Sequence, residues 1–124
     1  MIRIAIGGLS KEKMEQAILK INNEDIKVIV SNDFEGGQML LKKEVDYYFG
    51  ACNSGGGAAI ALLIGLVGYT NCVTIVKNGE RANRDKIKET VNMGKIVYGM
   101  AVEAIEETVP MLIEAIINKI KVEK

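Results

Sequence analysis

The chain has 124 residues, 48% of them hydrophobic and 26% charged, enough for one globular domain with a single core and too few for two of ordinary size. Lysine and arginine number 16 and aspartate and glutamate 16, so the basic excess of a protein held mainly by phosphate backbones is missing and no nucleic-acid partner is expected. Histidine is absent, which excludes Ser-His-Asp and Cys-His nucleophile systems and any histidine-ligated metal.

No cofactor or metal is expected. The lysine pairs Lys42-Lys43 and Lys86 with Lys88 read as solvated helix faces. Cys52 and Cys72 lie in apolar contexts without a Cys-x-x-Cys spacing, so a reducing cytoplasm is the expected compartment.

In chain order, strands alternate with helices. Arg3–Ile6 reads as a first strand, closed by Gly7-Gly8, after which Ser10 is placed to cap a helix carrying Met14, Ala17, Ile18 and Ile21 at helical spacing. Ile26–Val30 is a β-branched second strand, ended by the turn formers Ser31-Asn32-Asp33. A short helix follows from about Phe34 to Lys43, with Met39, Leu40 and Leu41 apolar and Gly36-Gly37 weakening its first turns. The third strand, Val45–Ala51, carries Tyr47, Tyr48 and Phe49 as packing residues and runs into the turn Cys52-Asn53-Ser54-Gly55-Gly56-Gly57.

An apolar stretch from Ala58 to Tyr69 and a fourth strand, Cys72–Val76, come next. No charge falls between Ala58 and Val76, a length close to that of a membrane span. Gly65, Gly68, Thr70 and Asn71 break the run, so a buried helix followed by a buried strand is the reading, with no membrane partner. Asn78-Gly79 marks a turn, Arg84 to Met93 a polar helix, and Lys95–Ala101 the fifth strand. The last helix aligns Ile105, Val109, Leu112, Ile113, Ile116, Ile117 and Ile120 on one stripe, and Pro110 inside it is expected to kink it or start a new segment.

This alternation implies α/β architecture: a three-layer sandwich around a five-stranded parallel sheet, flavodoxin-like or Rossmann-like, with strand order 2-1-3-4-5. Residues 1–124 form a single domain. The helix at 58–69 is apolar all round, so a homodimer or larger homo-oligomer is expected, with that helix in the interface.

Ligands of open α/β sheets settle beyond the carboxyl ends of the strands, where strand order reverses. That crevice lies between strands one and three, and the two most glycine-rich turns both open on it. Gly7, Gly8, Ser10, Asn53, Ser54, Gly55, Gly56 and Gly57 are therefore the candidate binding residues for a small anion bearing phosphate or carboxylate, held by unpaired amides at helix N-termini. The same glycines would also serve tight turns alone.

Cys52 is the candidate catalytic residue, since helix N-terminal amides stabilise a thiolate; a small buried apolar residue is the other reading. Cys72, at the opposite end of the sheet, is expected to pack. Lys77 and Asn78 fall on the same carboxyl edge as Asp33 and Glu103; these two acids fit proton transfer less well than capping and first-turn roles.

Two resemblances attach to these residues. The run Asp46-Tyr47-Tyr48-Phe49-Gly50-Ala51-Cys52-Asn53-Ser54-Gly55-Gly56-Gly57-Ala58-Ala59, with Val109-Pro110-Met111-Leu112, resembles the YhfU-type family of small bacterial proteins over nearly the whole chain. That likeness implies a cytoplasmic bacterial protein of unknown function and supplies no reaction.

The shorter stretch Gly50-Ala51-Cys52-Asn53-Ser54-Gly55-Gly56-Gly57 is similar to the Cys-Gly-Thr-Gly-x-Gly loop of the type B ribose-5-phosphate and galactose-6-phosphate isomerases. By that likeness Cys52 would take a proton beside a carbonyl while the Ser54–Gly57 amides hold the enediolate. Two departures stand against a full transfer: Gly7-Gly8 replaces the family's Asp-His pair, and its ring-opening histidine has no counterpart. The competing class is a non-catalytic regulatory, carrier or structural subunit, similar in shape to phosphotransferase IIB components.

Overall fold

A computed structural model describes residues 1–53 and 60–123. Five strands alternate with five helices: β1 (Ile2–Gly8), α1 (Lys11–Leu19), β2 (Ile26–Val30), α2 (Asp33–Leu41), β3 (Tyr47–Cys52), α3 (Ala61–Val67), β4 (Cys72–Val76), α4 (Arg84–Asn92), β5 (Val97–Ala101) and α5 (Ile105–Glu123). Single 3-10 turns at Tyr69–Asn71 and Val102–Ala104 lead into β4 and α5.

Every strand pair is parallel, as short β-α-β connections require. The α/β expectation holds. The strand order is β2-β1-β3-β5-β4 rather than 2-1-3-4-5: the last two strands exchange places. All five residues of β5 are buried, whereas Val73 and Thr74 of β4 are only partly so, and the more enclosed strand takes the inner position.

The exchange also redistributes the helices. A right-handed crossover that moves outward along the sheet lays its helix on one face, and one that steps back lays it on the other. The step from β4 back to β5 therefore sends α4 to the face of α1 and α5, and leaves α2 and α3, among the described residues, to cover the other face.

The two faces hold separate cores. Beneath α1, α4 and α5, strand residues Ile4, Ile6, Phe49, Tyr98 and Met100 meet Met14, Ile87, Leu112, Ile113 and Ile116. Phe49 and Tyr98 cross edge to face with ring centroids 5.9 Å apart, a favoured aromatic geometry. Beneath α2 and α3 the core is smaller: Ala5, Tyr48, Val97, Leu40, Ile60 and Leu63.

At the amino ends of the strands, the Asp46 carboxylate accepts the Arg3 amide at 2.8 Å and its guanidinium at 3.1 Å, locking the start of β3 to β1. Burial pushes the Asp46 carboxyl upward, but these bonds and the Arg3 charge outweigh it and hold the group below the usual carboxylate range.

The uncharged run is interrupted at Gly68 as foretold, while Gly65 lies within α3. α3 is seven residues long and ends at Gly68, whose φ of 97° belongs to glycine. Among the described residues no helix is long and apolar enough to cross a membrane. Pro110, by contrast, starts no new segment: α5 runs unbroken through it for 19 residues. The proline lies early in the helix with its ring exposed, so its steric demand falls on the solvent side.

Candidate ligand site at the carboxyl edge

Strands β1, β3 and β5 end together, with Gly8 opposite Ala51 and Cys52 opposite Ala101. Strand order reverses between β1 and β3, since α1 leaves toward one face while the chain after β3 returns on the other. This reversal is where the sequence places the candidate crevice.

The exit of β1 is shaped by two left-handed residues, Gly8 at φ 78° and Ser10 at φ 56°. A Cβ at Gly8 would press into the backbone of Ala51, and Leu9 donates its amide to the Ala51 carbonyl at 2.8 Å. The chain thus turns tightly over the end of β3 before α1 begins. Ser10 occupies the N-cap position, yet its side chain bonds no amide. This corrects the expected capping role: a left-handed backbone departs from the β-region conformation in which a serine hydroxyl reaches the N2 or N3 amide.

The other two helices that start on this edge with polar caps are closed. Asn32 caps α2 by accepting from the Glu35 amide at 2.8 Å, so the cap falls one residue before Asp33. Asn83 caps α4 through the Lys86 amide at 2.9 Å. The loop between β4 and α4 is also occupied: Glu103 accepts the Gly79 amide, Glu80 the Lys77 amide and Glu107 the Ala82 amide, each at 2.7 Å. Arg81 and the Ala82 amide hold the Glu107 carboxyl below its ordinary range. Glu103 thereby serves as a loop tether, and the β4 end offers no array of open amides.

Site residues named from the sequence divide accordingly. Gly8 and Ser10 lie at the exit of β1; Cys52 is half-buried at the last position of β3 and Asn53 is exposed beside it. Gly7 lies deeper, buried within β1 in register with Gly50, and a Cβ there would run into the Tyr48 hydroxyl. Ser54, Gly55, Gly56 and Gly57 lie outside the described residues. The chain is described again at Ile60, which packs over Gly99 so closely that a Cβ there would come within 3.1 Å. Cys72 is buried, its thiol donating to the Gly68 carbonyl at 3.4 Å and pushed up by burial against the nearby charge of Lys95; it packs, as expected.

Two groups escaped the sequence reading. Tyr48, fully buried, threads between Gly7 of β1 and Gly36 of α2, and its hydroxyl donates to the Asp33 carboxylate at the top of α2. Burial and then Asp33 push the phenol far above its ordinary value. The signal was Gly36-Gly37: two glycines in a helix mark a close approach. Lys13 also reaches the edge, where its ammonium donates to the Val102 carbonyl at 3.2 Å; nothing local in the sequence separates it from Lys11.

The whole defines a parallel three-layer α/β protein whose strand order reverses between β1 and β3. The chain belongs to the family described as protein of unknown function DUF2620, whose model matches residues 2–116. It is 35% identical over 113 residues to the uncharacterized protein YhfU of Escherichia coli and of Shigella flexneri, covering 91% of this chain and 97% of each relative. Among solved structures, a ribose 5-phosphate isomerase from Thermotoga maritima is similar with a TM-score of 0.67 at 13% identity, over 94% of this chain and 86% of that one. The likeness at that identity is one of fold.

Proposed function

We propose that the chain binds a small phosphate- or carboxylate-bearing metabolite in the β1/β3 crevice. The observation that carries this reading is the missing side-chain cap of α1. Amides of Lys11, Glu12 and Lys13 precede the first intrahelical bond, which Met14 donates to Ser10 at 3.1 Å. At a helix N-terminus such amides, with the helix dipole, attract negative charge. The N-termini of α2 and α4, by contrast, are closed by Asn32 and Asn83.

In its sharpest form the reading is isomerase-type proton transfer. Cys52, at the end of β3, would remove a proton beside a carbonyl of the ligand, and the neighbouring amides would stabilise the enediolate oxygen. The solved structure of similar fold acts on ribose 5-phosphate by name, which makes sugar phosphates the first ligands to try.

The test is an amide-resolved titration with inorganic phosphate, sulfate and ribose 5-phosphate. Saturable shifts centred on Gly8–Lys13 and Cys52–Asn53 are expected, with a higher Tm in the presence of ligand. Cys52→Ala should retain binding and abolish turnover of an isomerisable sugar phosphate. Shifts centred away from this carboxyl edge, or none with any anion, would overturn the assignment.

A further inference from the structure

We propose that the α2/α3 face is the contact of a two-fold homodimer, with the axis passing beside Gln38. This is independent of the ligand reading above. It adds α2 to the expected interface, which has the helix at 58–69 in the contact.

The face is apolar where it should be wet. Phe34, Gly37, Gln38 and Leu41 follow one stripe of α2 at helical spacing. Gly37 turns toward α3, since a Cβ there would overlap Leu66 and come within 3.2 Å of Leu63. The stripe therefore runs along the seam between the helices. On it Phe34 is 56% exposed and Leu41 53% exposed, while Leu62, one turn before Leu66 on α3, is 46% exposed. Gly36 and Gly37 let α2 sit close against Tyr48 of the sheet and Leu66 of α3. α3 contributes no charge at all.

What selects a second copy is the charge arrangement outside that stripe. Glu35 and Lys42 are both exposed and stand seven residues apart, on one line of α2, beyond the apolar positions. A two-fold axis beside Gln38 runs α2 antiparallel to its counterpart. Each Phe34 then meets the opposite Leu41, and each Glu35 the opposite Lys42. The pattern is self-complementary, as an isologous interface requires; a zwitterionic membrane surface would have no use for an acid and a base at matched distances.

Extent sets the strength. A nine-residue helix is about 13 Å long, and two short helices side by side give an interface at the low end of the size range, below about 1,200 Å² in total. The dimer is therefore concentration-dependent.

Sedimentation equilibrium of the full chain between about 1 μM and 1 mM tests this. The wild type should pass from monomer to dimer in that range. Lys42→Glu and Glu35→Lys, both at exposed positions, should each weaken association about five- to tenfold by placing like charges together twice. The double charge exchange should restore it. Leu41→Glu should leave a monomer with an unchanged circular dichroism spectrum. A monomer throughout, a dimer indifferent to Leu41→Glu, or a double exchange no tighter than the single variants would overturn the proposal. Uptake by phosphatidylcholine vesicles in place of dimerisation would do the same.

Discussion

Alanine at Gly36 sets two magnitudes against each other. In a helix interior the exchange should gain about 1 kcal/mol from propensity. Here the new Cβ would overlap the ring edge of Tyr48, which is fully buried and held by its hydroxyl bond to Asp33. Overpacking of that kind costs about 1–3 kcal/mol, so Gly36→Ala should lower stability in urea titration. Gly65→Ala is the counter-case, because nothing lies within 4 Å of its Cβ position in α3. It should stabilise by about 1 kcal/mol; equal signs for the two variants would refute the close approach. The residue scale is also where sequence reading fell short. The glycine pair was legible as a weakness of α2, but what it made room for lies on a different strand, twelve residues later. Ser10 failed for another reason: the residue type suits a cap, and only the left-handed turn over Ala51 withholds it.

At the level of elements, local pattern carried most of the way. β4 begins and ends at the residues its β-branched run announces, and α1 buries Met14, Ala17 and Ile18 as the spacing required. Pro110 is the instructive exception. A proline beyond the first turn removes the bond to residue i−4 and crowds that carbonyl, here Glu106. The stripe of Val109, Leu112, Ile113 and Ile116 is fully engaged with the sheet, and burial of four aliphatic side chains, at about 1.5–3 kcal/mol each, exceeds the roughly 3 kcal/mol a helix-interior proline costs. Tertiary packing therefore keeps α5 whole. Pro110→Ala should recover the lost bond, partly offset by the greater freedom of the unfolded chain at about 0.4–1 kcal/mol. A net gain of about 2–2.5 kcal/mol is expected in chemical denaturation. A loss would mean that the proline ring contributes packing which its exposure does not reveal.

For the whole molecule, strand order was the least legible feature, and the reason is physical. Cys72–Val76 and Val97–Ala101 are both short and apolar, and both connections are long enough to cross either outward or back. No local rule ranks two such strands. What decides is the sum of long-range contacts, which places Tyr98 and Met100 in the large core and leaves β4 on the rim with an irregularity between Thr74 and Val76. The order makes a prediction that the alternative does not. Amides of β3 and β5 are paired within the interior of the sheet, whereas β2, half-exposed along its length, and β4 are edges. Local opening starts where pairing is one-sided and burial is thin. Native-state hydrogen exchange should therefore find the slowest amides in β1, β3 and β5, with β4 opening at lower free energy than β5. In the 2-1-3-4-5 order β4 would be interior and β5 the rim, so exchange slower in β4 than in β5 would contradict the arrangement and, with it, the placement of α4 beside α5.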